Sequence, residues 1–255
     1  MAAEKSSSVY GGRARLGIVV PTTNTVNEPE WWSLLPVGVS LHVARMPLHL
    51  GQKPKGDLPE ALAQALDQLR PARLSVAAYA CTAGSLVLPP RAMSDRIAAR
   101  IGGPALTTAE ALVLALRALG ASRIAVATPY GETLNGHEAR FLEACGFDVA
   151  AIAGLGHGEG GAHEFAAIAA TPLAAVAEHV RAVVARAGRI DAVLISCTDF
   201  PSLPLIAPLE AELGAPVVTS NSAGLWACLR RAGADDAPAA GGRLFSLPAA
   251  AARAA

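Results

Sequence analysis

Residues 15–30 read RLGIVVPTTNTVNEPE, and residues 123–138 read RIAVATPYGETLNGHE. Arg15, Pro21, Thr25, Asn27 and Glu30 recur as Arg123, Pro129, Thr133, Asn135 and Glu138, each displaced by 108 residues. Both segments run from an apolar stretch through Pro into a polar turn and then a helix-compatible stretch. Two further pairs follow in the same order. LSVAAYACTAGSL (74–86) matches DAVLISCTDFPSL (191–203), with Cys81-Thr82 against Cys197-Thr198 at a displacement of 116. GPALTTAEAL (103–112) matches APVVTSNSAG (215–224), with Pro104 and Thr107 against Pro216 and Thr219 at 112. Three matches in one order, at nearly one displacement, mark an internal duplication.

The coarse pattern then follows. Strands are expected near 15–20, 38–45, 74–80, 104–107, 123–128, 147–153, 191–196 and 216–219. Their apolar runs are continuous rather than alternating, as in a sheet covered on both faces. Helices are expected in LPEALAQALDQLR after Gly56-Asp57, in AEALVLALRALG and NGHEARFLEACG ending on Gly120 and Gly146, and in LAAVAEHVRAVVARAG. The last starts after Thr171-Pro172 and ends on Gly188, ordinary start and stop signals. Such alternation gives parallel sheets with right-handed crossovers. The expected fold is α/β: two pseudo-twofold-related doubly wound half-domains with the active site in the cleft between them. Residues 1–110 plus 216–255 form the first half, with 1–14 a flexible leader and 234–255 a tail; 111–215 form the second. In the Ala/Pro/Gly-rich tail only a short strand at RLFSLP is expected.

Composition narrows the function. The 255 residues are 52% hydrophobic and 16% charged, with zero formal net charge, which reads as a folded protein with a sizeable core. Neither a nucleic acid nor an anionic membrane is an expected partner. No apolar run is long enough to span a bilayer, and Met1 to Arg15 lacks the apolar core of a secretory signal, so a cytoplasmic location is expected. The cysteines Cys81, Cys145, Cys197 and Cys228 are widely spaced without a CxxC, which argues against a disulfide framework or a zinc knuckle.

In open parallel sheets ligands bind beyond the carboxyl ends of the strands. Pro21 to Asn27, Cys81-Thr82, Pro129 to Asn135 and Cys197-Thr198 all fall there. A cysteine between a strand and a helix lies near helix-terminal N–H groups, which is expected to lower its pKa from about 8.5 and favour the thiolate. Asn24, Thr22, Thr82, Thr198 and Tyr130 add neutral donors, and no Arg or Lys sits in these turns. A cysteine after a strand is ordinarily a small buried hydrophobe. That reading is kept for Cys145 and Cys228, whereas the duplicated Cys-Thr context marks Cys81 and Cys197 as catalytic. Asn24 and Asn27 also suit turn or cap roles, and Tyr130 suits packing. His157 and His163 flank a glycine-rich stretch with a weak GxGxxG at Gly156, Gly158 and Gly161, read as a flexible cleft loop rather than a dinucleotide or metal site. Trp31-Trp32 is expected to pack or to lie in a subunit contact.

GIVVPTTNTVNEPE, AYACTAG, VATPYGETLNGHEARFLEACGFDV, ISCTDFPSLP and VVTSNSAGLWACLR resemble the aspartate/glutamate racemase superfamily, and within it the maleate cis-trans isomerase and arylmalonate decarboxylase branch. The resemblance runs from Gly17 to Arg231. It implies a cofactor-independent isomerase of a small carboxylate, with no metal, and a homo-oligomer. Cys81 would add to the double bond of a cis-diacid, and Cys197 would handle the proton after rotation. Asn24 and Tyr130 would contact substrate carboxylates, helped by Thr82 and Thr198, with Thr22 and Asn135 as further substrate-binding candidates. Racemases of the superfamily instead use two cysteines on opposite faces of a Cα, so an amino-acid or hydroxy-acid racemase or epimerase is the alternative. A binding module that keeps a silent cleft is a third reading. Decarboxylases of the branch lack the first cysteine, so the presence of both disfavours decarboxylation. Two features depart from the isomerases. The loop GEGGAHEFAAI offers His163 or Glu164 where they carry Asn. CTAGS is closer to relatives found with ectoine breakdown and to racemases.

Overall fold

The computed structural model describes residues 9–48, 58–160 and 162–247. The first half runs β1 (Ala14–Pro21), α1 (Asn27–Leu34), β2 (Val39–Met46), α2 (Glu60–Leu69), β3 (Val76–Tyr79), α3 (Thr82–Ser85), α4 (Pro90–Ile101), β4 (Ala105–Thr107) and α5 (Thr108–Ala118). The second runs β5 (Arg123–Tyr130), α6 (Glu132–Ala144), β6 (Asp148–His157), a 3₁₀ segment (Ala162–Ala170), α7 (Leu173–Ala187), β7 (Ala192–Ile195), α8 (Ile206–Leu213), β8 (Val217–Thr219), α9 (Ser220–Arg231) and a final α10 (Gly242–Phe245). All eight expected strands are present. They form two four-stranded sheets of order β2-β1-β3-β4 and β6-β5-β7-β8. Every pairing is parallel. The order is the same under the duplication.

The continuous apolar runs have the expected cause. Ile18, Val20, Val126, Leu194 and Ile195 are fully buried, because helices cover both faces of each sheet. The last strand of each half passes directly into a helix, and a threonine caps each. The Thr107 hydroxyl accepts the Glu110 N–H (3.2 Å). The Thr219 hydroxyl accepts the Ser222 N–H (3.0 Å), and the Ser222 hydroxyl accepts the Thr219 N–H (2.9 Å), a reciprocal capping box. The duplicated Thr107 and Thr219 are thus helix caps. The two helices they start, α5 and α9, pack on one another at the centre, and α9 also touches α1 and β3 of the first half. No single helix among the described residues is long and apolar enough to cross a membrane.

Three expectations are corrected. The boundary at 216 moves, because Val217–Thr219 pairs with β7 and completes the second sheet, and only the α9 that follows crosses to the first half. The tail is folded: Gly242–Phe245 is helical rather than a strand, and Leu244 and Phe245 are buried. Arg230 holds it, donating to the carbonyls of Ala234 (3.0 Å) and Phe245 (3.1 Å). The leader is anchored before β1, since Arg13 reaches the Val37 carbonyl (3.0 Å) and pairs with Asp236. Residues 1–8, 49–57, Gly161 and 248–255 lie outside the described residues, and with them the start of the leader, Gly56-Asp57, the third glycine of the GxGxxG and Pro248 of RLFSLP. Trp31 is buried with its indole N–H on the Asn221 carbonyl (3.0 Å), while Trp32 is exposed.

The duplicated glutamates have diverged. Glu30 of α1 accepts the N–H groups of Ser202 and Leu203 (2.8 Å each) and the Asn221 amide (2.7 Å). Glu138 of α6 is fully buried and has one partner, the Ser196 hydroxyl; its second oxygen has none. Burial pushes its carboxyl from 4.5 up to about 7. The folded state therefore binds this proton more tightly than the unfolded chain, so its contribution to stability falls as pH rises from about 4.5 to about 7. Denaturant unfolding at about pH 5 and about pH 8 should show wild-type stability dropping by on the order of 1–3 kcal/mol more than that of Glu138→Gln, whose side chain does not ionise.

Candidate active site

Both cysteines stand at the carboxyl ends of the third strand of their sheets. Cys81 follows β3 with extended backbone and serves as N-cap of α3, its sulfur accepting the Gly84 N–H (3.4 Å). A Cβ at Gly84 would lie 2.1 Å from the Tyr79 hydroxyl and 3.2 Å from the Cys81 sulfur, so only glycine leaves room for that pair. Cys197 follows β7 with φ of +149°, one of two non-glycine residues at positive φ among the described residues. Its N–H donates to Ser220 Oγ (3.0 Å), and its sulfur accepts the Asp199 N–H (3.3 Å). Each sulfur also has a tyrosine hydroxyl donor, Tyr79 for Cys81 and Tyr130 for Cys197. A charge on Cys81 raises the pKa of Cys197, so the two thiols feel each other across the cleft.

Two hydrogen-bonded links cross between the halves. Asn24 Oδ1 accepts the N–H groups of Val26 (3.1 Å) and Asn27 (2.9 Å), and Asn24 Nδ2 donates to Thr198 Oγ1 (3.1 Å). Thr198 in turn donates to the carbonyl of Ala80, beside Cys81 (3.3 Å). The second link joins the hydroxyls of Thr82 and Ser220 (2.9 Å), the same Ser220 that receives the Cys197 N–H. Asn24 therefore combines its capping role with a place in the cleft.

The cleft between the cysteines encloses about 30 Å³, roughly one water's share of liquid volume. Asn24, Thr82, Thr198 and Asp199 form its polar wall, and Leu48, Tyr130, Phe165 and Ile168 its apolar one. A wider groove of about 820 Å³ opens between α4, α5 and α9, but of the cysteines only Cys145 reaches it. Cys145 and Cys228 are unpaired and take no part in the cleft, as expected.

Of the expected site residues, Cys81, Cys197, Asn24, Thr82, Tyr130 and Thr198 meet in this cleft. Thr22 does not. It is exposed, because its N–H continues the ladder to Met46 (2.8 Å) and the next residue, Thr23, turns inward instead. Asn135 is buried outside the cleft, donating to the Tyr130 carbonyl (3.3 Å) and accepting from the Thr128 hydroxyl, so it holds the turn that carries Tyr130. His157 and His163 line no part of the cleft, and Glu164 closes their loop on the N–H groups of Gly158 (2.7 Å) and Gly160 (3.1 Å). Among the described residues no group of three or more His, Cys, Asp or Glu is placed to hold a metal ion.

Sequence reading missed Tyr79, Ser220, Asp199 and Arg45. The signals for Asp199 and Ser220 lie in the quoted motifs: Asp199 stands where the first copy has Ala83, and Ser220 begins the helix capped by the duplicated threonine. Nothing in the turns points to Arg45, which comes from the end of β2, donates to the Asn24 carbonyl (2.9 Å) and pairs with Glu28.

The expected depression of the cysteine pKa values is also corrected. Burial pushes both thiols above their ordinary range, outweighing the Gly84 and Tyr79 donors at Cys81 and the Tyr130 and Asp199 donors at Cys197. α3 has a single turn, so its terminus cannot offset that desolvation. Burial also lifts the Asp199 carboxyl to about 6, against hydrogen bonds from the Thr25 and Val26 N–H groups, and its charge raises both thiols further.

Several known proteins are similar to this chain. The family model described as arylmalonate decarboxylase matches residues 90–245. The maleate isomerase of Nocardia farcinica is 31% identical, the alignment covering 92% of this chain and 96% of that protein. The crystal structure of a cysteine-to-alanine variant of the Pseudomonas putida S16 maleate isomerase with maleate superposes with a TM-score of 0.80 at 26% identity, over 92% of this chain and 98% of that one. A cysteine-to-serine variant of the N. farcinica enzyme with a covalently bound succinylcysteine intermediate gives 0.75 at 29% identity, over 91% and 98%.

The Asp199 charge yields a test. Asp199→Asn keeps the acceptor for Thr25 and removes the charge that raises both thiols. Iodoacetamide should then label Cys81 and Cys197 faster in the variant at about pH 8, where Asp199 is ionised, and the difference should shrink below about pH 6, where Asp199 is neutral. Mass spectrometry of the labelled peptides reads it.

Proposed function

The chain belongs to the maleate isomerase and arylmalonate decarboxylase branch of the aspartate/glutamate racemase superfamily, and we propose that it is a two-cysteine cis-trans isomerase of a small carboxylate of the maleate kind. The observation that carries this reading is the meeting of Cys81 and Cys197 in one narrow cleft, each with a tyrosine hydroxyl donor and with amide and hydroxyl groups beside them.

The chemistry divides between the halves. Cys81 as thiolate adds to one alkene carbon, and the C–C bond becomes single. The Gly84 N–H and the Tyr79 hydroxyl already point at this sulfur and stabilise charge on it. Cys197, held protonated by burial, gives its proton to the other carbon. Rotation and reversal of both steps release the trans acid and restore both cysteines. Asn24 and Thr82 hold the carboxylate through neutral donors, Thr198 keeps the Asn24 amide in place, and exclusion of water strengthens those bonds. None of these steps draws on a cofactor. With only about 30 Å³ enclosed, the apolar wall of Leu48, Phe165 and Ile168 yields to admit substrate.

A second reading draws on the near-symmetry of the two thiols, each with its own tyrosine: a racemase in which they work on opposite faces of a Cα. The two separate in one set of assays. Loss of a cis-diacid and appearance of its trans isomer are followed by ultraviolet absorbance without added cofactor, and solvent deuterium entering the Cα of chiral acids is followed by NMR. Isomerisation is expected, falling by about 10³-fold or more in Cys81→Ala and in Cys197→Ala. Activity surviving in both variants sinks the two-cysteine mechanism, and deuterium exchange without isomerisation favours the racemase.

A further inference from the structure

The duplication makes the two ends of the cleft comparable, and they are unlike. At the 108-residue displacement Asn24 corresponds to Glu132. Asn24 is buried, with its amide in the cleft on Thr198. Glu132 is exposed, and its N–H is taken by the Glu159 carboxylate (2.9 Å). The second half therefore brings no amide to the cleft from this turn. Beside Cys197, Thr198 and Asp199 it contributes the apolar wall of Tyr130, Phe165 and Ile168, with the Phe165 ring 6.3 Å from that of Tyr130. The GEGGAHEFAAI loop adds apolar side chains rather than a donor, because Glu164 is spent on closing its own glycine turn.

Charge points the same way. Among the described residues lining the cleft, Asp199 is the one charged group, and none is Lys, Arg or His. Asp199 is fixed by the Thr25 N–H (2.8 Å) on the first turn leading into α1. The nearby cation, Arg45, lies behind Asn24 on its carbonyl oxygen and is already paired with Glu28. A dianionic diacid would place one carboxylate on neutral donors and strip the other of water against an apolar wall, beside a fixed negative charge.

Granted the isomerase reading above, we propose that the substrate is a cis-enedioic acid with one free carboxylate and an uncharged, apolar second end, a half-ester being the simplest form. The free carboxylate lies on Asn24 and Thr82, the ester lies against Tyr130, Phe165 and Ile168, and Asp199 selects against a second charge. The electron count favours this arrangement. The Cys81 thiolate forms its C–S bond at the carbon bearing the free carboxylate, and the alkene pair moves into the ester carbonyl as an enolate. Cys197 S–H protonates the carbon next to the ester. After rotation the Cys197 thiolate takes that proton back, and the enolate pair reforms the double bond as the C–S bond breaks. Nothing is oxidised or reduced, and both cysteines return to their starting forms. An ester accepts the pair more readily than a carboxylate, which is already anionic.

The test compares maleate with monomethyl maleate as probes on the full-length protein at about pH 7.5, following trans products by proton NMR. The half-ester should show kcat/KM at least about tenfold above that of maleate, the low end of what a one-group difference in an apolar pocket discriminates. Asp199→Asn should narrow the ratio by about threefold or more by raising maleate turnover, and Phe165→Asn, which puts an amide in the apolar wall, should act in the same direction. Maleate turned over as fast as the half-ester by the wild-type protein overturns the substrate assignment and leaves the isomerase reading standing. Turnover of neither acid overturns both. A half-ester preference unchanged in both variants overturns the roles given to Asp199 and the apolar wall.

Discussion

The Cys197 N–H donates to Ser220 Oγ, and that hydroxyl also meets Thr82, the residue after Cys81. Much of the site depends on this shared hydroxyl. The carboxyl ends of two parallel sheets converge here, and the buried backbone groups that leave the ladders must find partners within the protein. Ser220, the first residue of α9, supplies the acceptor for the second-half cysteine and a partner for the first-half threonine. Asn24 completes the arrangement by capping α1 and bonding Thr198. The two cysteines are thus placed relative to one another by side chains that already terminate secondary structure.

The same closure sets the electrostatics. Cys197 holds a positive φ, which for a residue with a Cβ costs on the order of 1–3 kcal/mol and persists only where the surroundings over-determine it. Here its N–H, its sulfur and the loop behind it are all bonded, the loop through the Ser202 and Leu203 N–H groups on Glu30. Burial keeps both thiols protonated and lifts the Asp199 carboxyl to about 6. Such a site holds its acid ready but pays for its thiolate, which places a premium on the Tyr79 and Gly84 donors and on an acceptor that takes up electrons easily.

The duplication is followed closely by the scaffold and abandoned at the chemistry. Strand order, cysteine placement, tyrosine donors and threonine caps recur in both halves. The pairs Glu30 and Glu138, Asn24 and Glu132, and Ala83 and Asp199 have all diverged. The scaffold pairs answer to backbone geometry common to both copies, whereas among the diverged positions Asn24, Ala83 and Asp199 line the cleft.

What the sequence by itself determined is the set of elements and the equivalence of the two cysteines. Continuous apolar runs, cap residues and repeated motifs are local properties, and all eight strands, the parallel class, Cys81-Thr82 and Cys197-Thr198 follow from them. What only the tertiary structure decided is which polar groups share the closed space. Tyr79 and Arg45 reach the site from within strands, where no turn motif marks them. Thr22 and Asn135, marked by their turns, are carried to the surface and to the back of Tyr130. The sign of the thiol shifts was likewise beyond local reading, because a helix terminus is visible in sequence while desolvation depends on everything that packs around the sulfur. The tail shows the same limit, since its fold rests on Arg230 collecting carbonyls from residues that no periodicity links to it.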